Sequence, residues 1–442
     1  MTSPLPDKGL DPAEILADLE SLGTRDVAWR DGRSWSLVYH AGDDHKELLD
    51  AAYRLYASTN GLSPSAFPSL ATMEADIVAV ALDLLRADRS TAGGTMASGG
   101  TESIMLALKA YRDRRVAGGE GTRPHLVVPV TAHPAFHKGA QLLGYDVTVT
   151  GIGEDLRADL AQIEAALRPE TTVVGASAPC YPYGVIDPIA DIGELAADRG
   201  TGLHIDACLG GFALPFIRRL GRDVAPFDFE VDGVTSISAD LHKYGYAAKG
   251  ASTVLYRDRD LRRHQYFTHI GWPGGSFGSP TLLGSRNGGV IAAAWAGLRH
   301  LGRDGYESIF ASIMDVTDRL REGITALDGF SILGDPAMSV MAFGSRHHDV
   351  FAVADTLEES GWRIDRQRDP DCLHLIVNPT HTVDVADAFL ADLRAAAAAA
   401  PPPGKNRGAA AYGVVAELGD DDTDVAAAIT DALDRVYDGR LK

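Results

Sequence analysis

The feature that most constrains this chain is an alternation of short apolar segments with helical patterns through its middle. Between residues 125 and 256, apolar runs of five to eight residues are interspersed with segments of helical periodicity. Such alternation favours right-handed β-α-β crossovers and a mainly parallel sheet with helices on both faces. Because open α/β sheets bind ligands beyond the carboxyl ends of their strands, polar residues after these strands are the candidates for a site. The predicted strands are 125–130, 145–150, 171–178, 202–206, 233–238 and 252–256.

The flanking regions predict further elements and three domains. A long helical segment at 287–326 leads into a C-terminal α+β region, where SILGD, SVMAFGS and CLHLIV are predicted strands. We expect a helical arm at 1–60, a large domain at 61–320 and a small domain at 321–442. Other predicted helices are 11–21, 44–57, 70–85, 101–115, 134–143, 158–167 and 188–199.

Charge and composition disfavour several classes of partner. The 442 residues carry a formal net charge of -20, which repels nucleic acid and anionic membrane surfaces at long range. Cys180, Cys208 and Cys372 form no C-x-x-C pair, so neither a disulfide framework nor a metal site is predicted. The first residues do not resemble a signal peptide, and no run of 18 apolar residues occurs. We therefore expect a cytoplasmic protein without stable membrane insertion.

Two of the predicted strands end near residues that suit a carbonyl-binding site. Lys243 follows the fifth strand, and Asp206 ends the fourth. A lysine amine attacks a carbonyl only after losing its proton, which a partly desolvated position favours. A carboxylate such as Asp206 can keep a pyridine nitrogen protonated, while the small neighbours Ala207 and Cys208 let a flat ring approach. A surface lysine and a turn aspartate are the ordinary alternatives.

A glycine-rich turn and a histidine add to this pattern. Gly100 and Thr101, together with Ser98, precede or begin a helical segment, whose N-terminus offers backbone donors to a phosphate. His133 follows the first predicted strand, where its ring can stack on a flat cofactor. An N-capping threonine and a histidine with satisfied hydrogen bonds are the ordinary alternatives.

The order of these features along the chain points to one cofactor. Pyridoxal 5′-phosphate (PLP) has a phosphate, a flat ring, a ring nitrogen and an aldehyde, and each matches one of the candidate groups. Four independent signals in this order are hard to explain as ordinary turn and loop residues. The sequence therefore predicts a PLP enzyme with its cofactor held as a Schiff base on Lys243.

Longer segments carry more information than these single residues. The most specific are DACLGGF at 206–212, SADLHKYGYAAKG at 238–250 and GSPTLLGSR at 278–286. With these segments, and with AAYGVVA at 410–416, the chain resembles the PLP-dependent group II decarboxylase superfamily, and within it the sphingosine-1-phosphate lyases. The resemblance implies the PLP-dependent transferase fold type I, with a mainly parallel seven-stranded sheet and a smaller α+β C-terminal domain.

The resemblance also implies roles for individual residues. Lys243 would carry the cofactor, Asp206 would face its ring nitrogen and His133 would stack on its ring. Ser279 to Thr281 would reach the cofactor phosphate of the neighbouring subunit, which implies a homodimer with shared sites. The other cofactor contacts would be Gly100, Thr101, Cys208, Ser238 and His242. The substrate contacts would be Lys249, Tyr39 and Tyr181 or Tyr183.

Two positions depart from the pattern of these lyases. Ser63 stands where they have a histidine that contacts the substrate phosphate, and Ala248 replaces the usual proline before Lys249. Loss of one charge-assisted contact weakens binding by ~1.5–3 kcal/mol. A different, unphosphorylated substrate is therefore an open alternative.

Three functions are compatible with these residues. A retro-aldol carbon–carbon lyase would cleave a 2-amino-3-hydroxy substrate, such as sphingosine 1-phosphate, to a fatty aldehyde and phosphoethanolamine. An amino-acid α-decarboxylase would use the same cofactor site, and a substrate-binding arginine or histidine would favour it over the lyase. A catalytically silent binding protein is disfavoured because Lys243, Asp206 and His133 are intact. For the lyase, the base is left open among His242, a tyrosine and the substrate phosphate.

Overall fold

The computed structural model describes residues 5–119, 123–403 and 422–438. The segment AAYGVVA at 410–416 lies outside the described residues. Within the described ranges, no helix is both long and apolar enough to cross a membrane.

A seven-stranded sheet forms the centre of the large domain. Its strands are β1 (Gly93–Ala97), β2 (His125–Pro129), β3 (Asp146–Thr150), β4 (Thr171–Ser177), β5 (Gly202–Asp206), β6 (Ser236–Ala239) and β7 (Ser252–Tyr256). In space they follow the order β1-β7-β6-β5-β4-β2-β3. Only β7 runs antiparallel to its neighbours, and the other pairings are parallel. This confirms the mainly parallel α/β sheet and aligns the carboxyl ends of β2, β4, β5 and β6 at one edge.

Strand β1 was absent from the sequence prediction. It contains Gly93 and Gly94, which have low strand propensity. A Cβ on Gly94 would lie 2.5 Å from the Leu255 side chain, so glycine lets β1 pack closely against β7. Strand β6 begins three residues later than predicted, because the backbone at Gly233 packs against Gly193, where a Cβ would lie 2.0 Å from the Gly193 carbonyl oxygen.

Two apolar cores flank the sheet. The helices of the large domain are α3 (Pro68–Leu84), α4 (Gly100–Ala117), α5 (Ala135–Leu143), α6 (Leu160–Ala166), α7 (Ile189–Asp198), α8 (Leu214–Arg219) and α9 (Arg259–Arg263). Helices α4 and α5 contribute to one core, while α3, α6, α7 and α8 contribute to the other. Ile104, Leu108 and Tyr111, which share one face of α4, are buried. Helix α3 begins at Pro68 rather than at residue 70, since proline is tolerated in a first turn.

The C-terminal region is an α+β layer, as predicted. Its strands are β10 (Phe330–Ile332), β11 (Val340–Ser345), β12 (Asp365–Gln367) and β13 (Cys372–Ile376), and its helices are α11 (Val350–Glu359), α12 (Val383–Ala399) and α13 (Asp422–Tyr437). The four strands form an antiparallel sheet in the order β10-β11-β13-β12. Helix α10 (Gly288–Thr325) connects the two regions, with non-helical backbone at Gly302. A hairpin of β8 (Phe267–His269) and β9 (Phe277–Ser279) precedes it.

The N-terminal residues contribute to the site through one buried anchor. Helix α1 (Pro12–Gly23) buries no residue, and α2 (Asp43–Tyr56) packs on α10. Trp35 is fully buried and stacks on His381, with ring centroids 4.2 Å apart. Its backbone N–H donates to the Arg363 carbonyl at 3.1 Å, and its carbonyl accepts from Ile376 at 2.7 Å. These contacts hold residues 36–39 against the small domain, beside the carboxyl edge of the central sheet.

Candidate active site

A cavity of about 160 Å³ lies at the carboxyl edge of the central sheet. Three parts of the chain line it: the stretch after Trp35, the loops that follow the strands, and β13 of the small domain. Its lining residues are Ser36, Leu37, Tyr39, His133, Pro179, Tyr181, Asp206, Cys208, Leu209, Lys243, Lys249 and Ile376. The structure thus brings together seven predicted residues: Tyr39, His133, Tyr181, Asp206, Cys208, Lys243 and Lys249.

Asp206 and His133 face this cavity from neighbouring parts of the sheet edge. Asp206 ends β5, is 8% exposed and accepts the Cys208 backbone N–H at 3.1 Å. His133 accepts the Ala135 N–H at Nδ1, 3.1 Å away, so the proton of a neutral ring resides on Nε2. Burial lowers the pKa of His133, against the opposing charge of Asp206. A neutral, oriented imidazole is suited to stacking on a flat ring.

Lys243 is paired with a carboxylate that sequence reasoning missed. Its Nζ lies 3.1 Å from Oδ2 of Asp240, which is 1% exposed, and Nε2 of His242 lies 3.6 Å from the same oxygen. Burial is the largest single influence and lowers the pKa of Lys243, but Asp240 together with the other acidic groups around the amine raises that pKa well above its usual value. Desolvation does favour the neutral amine, as predicted from the sequence, but the surrounding acidic groups more than offset it. The only sequence signal was an acidic residue three positions before the lysine.

The turn before α4 is packed against the same residues. A Cβ on Gly100 would lie 2.8 Å from Sγ of Cys208 and 2.9 Å from Oδ2 of Asp240. A Cβ on Gly99 would lie 3.4 Å from Cε1 of His242. The helix N-terminus at Gly100 and Thr101 therefore borders the carboxylate that contacts Lys243. The Ser98 backbone N–H donates to Glu102, so it is not free for a phosphate.

Lys249 and Tyr39 form one wall of the cavity. Nζ of Lys249 lies 4.9 Å from the centroid of the Tyr39 ring and donates to the His242 carbonyl at 3.4 Å. Desolvation and the charge of Lys243 lower the pKa of Lys249 to about 8. A lysine with this pKa is still mostly charged at neutral pH and can bind an anionic group. Among the residues that the structure describes, no arginine lines this cavity.

Several predicted residues lie outside the lining. Ser238 is fully buried, and its hydroxyl pairs with Nε2 of His204 at 3.1 Å. Ser63 pairs with Ser65, their hydroxyl oxygens 3.2 Å apart. The hydroxyls of Ser279 and Thr281 hydrogen-bond within their own loop. The Tyr183 hydroxyl donates to the Asp369 carbonyl, and its ring lines an adjoining cavity of about 370 Å³ with His133 and Tyr181.

Comparison with known proteins agrees with this geometry. The pyridoxal-dependent decarboxylase conserved domain matches residues 2–346. A sphingosine-1-phosphate lyase of Oryza sativa subsp. japonica is 41% identical over 397 residues, covering 88% of this chain and 73% of the relative. One from Drosophila melanogaster is 43% identical over 394 residues, covering 88% and 72%. The chain belongs to the pyridoxal-dependent decarboxylase family. Within it, the chain is similar to the sphingosine-1-phosphate lyases.

Solved structures of this family share the fold. A sphingosine-1-phosphate lyase from Burkholderia pseudomallei K96243 superposes with a TM-score of 0.88 and 39% identity, covering 90% of this chain and 93% of the other. A glutamate decarboxylase from Lactobacillus brevis superposes with a TM-score of 0.78 at 21% identity, which supports the fold alone. The fold is therefore the PLP-dependent transferase fold type I.

The cofactor of this family is PLP, and the residues of the cavity fit it. A Cβ on Gly100 would clash with Cys208 and Asp240, so glycine lets the N-terminus of the 18-residue helix α4 lie directly against these cavity residues. Asp206, His133 and Lys243 line one cavity, as a carboxylate, a neutral imidazole and an amine. Burial raises the pKa of the Cys208 thiol well above its usual value, which agrees with a packing role rather than a nucleophilic one.

Proposed function

We propose that this chain is a PLP-dependent carbon–carbon lyase that cleaves the Cα–Cβ bond of a phosphorylated 2-amino-3-hydroxy compound. Sphingosine 1-phosphate is the model substrate, with a fatty aldehyde and phosphoethanolamine as products. The observation that carries this proposal is the place of Lys249, which lines the same cavity as Lys243, Asp206 and His133. A charged lysine without an arginine beside it suits a phosphate better than the planar carboxylate of an amino acid.

In this proposal five residues in or beside the cavity have a role toward the cofactor. Bound PLP supplies the electron sink that accepts the electron pair left on Cα when the Cα–Cβ bond breaks. Lys243 holds the cofactor covalently between turnovers, and Asp206 holds the proton of the ring nitrogen. His133 packs on the ring, and the N–H groups at Gly100 and Thr101 bind the phosphate. Borohydride reduction of the holoenzyme followed by peptide mapping should label Lys243.

The proton movements narrow the choice of base. The C3 hydroxyl loses a proton as the Cα–Cβ bond breaks and the aldehyde leaves, and Cα then gains a proton. His242 accepts the Ala251 N–H at Nδ1, 3.3 Å away, so its Nε2 holds a proton and points toward Asp240. Nδ1 of His133 likewise accepts a backbone N–H, so its Nε2 also holds the proton. The Tyr181 hydroxyl donates its proton to Asp365 at 3.0 Å. This favours Tyr39 or the substrate phosphate as the base.

A product assay separates the lyase from the decarboxylase. Purified holoenzyme is incubated with sphingosine 1-phosphate and, separately, with a panel of amino acids, and fatty aldehyde and CO₂ are both quantified. We expect aldehyde and phosphoethanolamine in equal amounts, with no CO₂. Substantial CO₂ without aldehyde would overturn the proposal.

A homodimer is part of the same proposal. The hairpin of β8 and β9 and the loop after it expose large apolar side chains, including Ile270 at 86% and Trp272 at 57% exposure. Exposed apolar patches of this kind mark protein–protein contacts. Ser279 and Thr281 lie within this same stretch, so a dimer contact here would bring them toward a neighbouring site. Sedimentation of the holoenzyme should give a dimer.

We also propose a cytoplasmic location. Cys180, Cys208 and Cys372 are all unpaired and buried, as in proteins of reducing compartments. Fractionation of the source cells, followed by detection of the protein, tests this location. Recovery from an oxidising compartment would contradict it.

A further inference from the structure

Glu102 joins two segments that are far apart in sequence. Its Oε2 accepts the backbone N–H of Ser98 at 2.7 Å. Its Oε1 accepts the backbone N–H groups of Leu282 and Leu283 at 2.9 and 3.3 Å. Glu102 is 7% exposed, so these bonds are largely shielded from water. Hydrogen bonds to a carboxylate in such a place are strong.

The first of these segments is the turn proposed to bind the cofactor phosphate. Glu102 is the third residue of α4 and reaches back to Ser98, one residue before the N-cap Gly99, in a contact similar to a capping box. Gly100 and Thr101 lie between the two ends of this contact. Glu102 therefore holds the backbone of the turn in the conformation that presents its N–H groups.

The second segment, residues 279–283, is compact and internally bonded. The Ser279 hydroxyl donates to the Thr281 carbonyl at 3.0 Å, and the Thr281 hydroxyl donates to the Leu283 carbonyl at 2.8 Å. The side chains of Leu282 and Leu283 remain 52% and 47% exposed, although their N–H groups are bound by Glu102. The segment is therefore tied to Glu102 on one side and presents an apolar surface on the other.

We propose that Glu102 is a positioning residue that couples the two cofactor sites of the dimer. It links the cofactor turn of its own subunit to the segment that would reach the neighbouring subunit's cofactor, and so rests on the proposed homodimer. Cofactor bound at one site holds the turn in place. Through its hydrogen bonds, Glu102 then holds residues 279–283 in one conformation, and the neighbouring site binds its cofactor more tightly. Because such coupling is reciprocal, the two sites should fill cooperatively.

Cofactor titration of the apoenzyme tests this coupling. Wild type, Glu102→Gln and Glu102→Ala are titrated with PLP and followed by absorbance, with native mass spectrometry to count subunits and bound cofactors. The glutamine side chain keeps one oxygen acceptor, but its NH₂ group replaces the other oxygen and faces a backbone N–H. It should therefore lose its hydrogen bond either to residue 98 or to residues 282 and 283. We expect a Hill coefficient above 1 for wild type and close to 1 for both variants. The PLP concentration at half-saturation should rise by roughly tenfold or more in both variants.

Asp349→Ala is the matched control. Asp349 accepts the N–H groups of Phe351 and Ala352 at 3.0 and 3.2 Å, at the start of α11 in the small domain. Its loss removes the same kind of bond without touching the cofactor turn. We expect lower thermal stability, with half-saturation and Hill coefficient unchanged.

Three results would overturn the coupling. One is a folded, dimeric Glu102→Ala variant that titrates like wild type. A second is an equal loss of affinity in Asp349→Ala and Glu102→Ala with the wild-type Hill coefficient retained, since that indicates a structural role alone. A third is a Hill coefficient of 1 for wild type, which would leave the proposed function intact. Wild-type protein that binds no PLP would instead refute the proposed function, and the coupling with it.

Discussion

Replacing Gly100 by alanine tests whether the turn before α4 is packed as the floor of the cofactor site. The added methyl would lie 2.8 Å from Sγ of Cys208 and 2.9 Å from Oδ2 of Asp240. These neighbours are only 5% and 1% exposed, so neither can swing into solvent to make room. Gly100 is the first residue of a helix and does not have a positive φ, so the backbone itself accepts alanine. The methyl group alone accounts for the effect.

Two contributions to stability oppose each other in this variant. Alanine reduces the freedom of the unfolded chain and stabilises the fold by ~0.4–1 kcal/mol. Forcing a methyl group into filled space costs ~1–3 kcal/mol. Because contacts below 3.0 Å arise on two sides, we expect a net loss of about 1–2 kcal/mol in the unfolding free energy of the apoenzyme. The displaced residues surround Lys243, so PLP affinity should fall by about tenfold or more, equivalent to ~1.4 kcal/mol.

Denaturant unfolding and cofactor titration measure these two effects. Gly99→Ala is the control, because its Cβ would lie 3.4 Å from Cε1 of His242, at ordinary contact distance. The losses of stability and of PLP affinity in Gly99→Ala should be clearly smaller than those in Gly100→Ala. Adding Cys208→Ala to Gly100→Ala removes the closest contact and should restore part of the stability. Wild-type stability and cofactor affinity in Gly100→Ala would refute this account of the turn.

Three further variants test the charges around the cavity. Asp240→Asn should shift cofactor attachment to lower pH, because burial then lowers the pKa of the Lys243 amine without the carboxylate that raises it. The rate of the absorbance change on PLP binding, measured against pH, tests this. An unshifted pH profile would contradict it. Lys249→Met should raise the KM for a phosphorylated substrate by roughly tenfold or more with little change in kcat. In wild type, kcat/KM from aldehyde release should fall as the pH rises through about 8, where Lys249 loses its charge. Ser63→His should lower that KM by about 10- to 100-fold if it restores a phosphate contact, and an unchanged KM would place the phosphate elsewhere.

The convergence of three proposed site residues was predictable because it depends on local order along the chain. His133, Asp206 and Lys243 follow strands of a mainly parallel sheet, and the carboxyl ends of parallel strands meet at one edge. Their convergence in one cavity therefore follows from the β-α-β pattern alone. The helices were predictable for a related reason, since the periodicity of buried side chains is itself local, as in α4.

Other features depend on contacts between distant segments, which no local pattern encodes. Strand β1 pairs with β7 and Gly94 lies under Leu255, although glycines disfavour a strand. Trp35 brings Tyr39 to the cavity because its backbone pairs with residues more than 300 positions away. Glu102 follows the same rule, because the backbone N–H groups of Leu282 and Leu283 that it binds lie 180 and 181 positions along the chain.

The sequence by itself determined the α/β architecture, the cofactor class and the residues proposed to hold the cofactor, because these follow from short periodic patterns and strand ends. The tertiary structure decided which carboxylates are buried and which groups they meet there. Burial removes water, so a carboxylate must take whichever cation or backbone N–H the fold places beside it. For Asp240 that partner is Lys243, and for Glu102 it is the backbone at residues 98, 282 and 283.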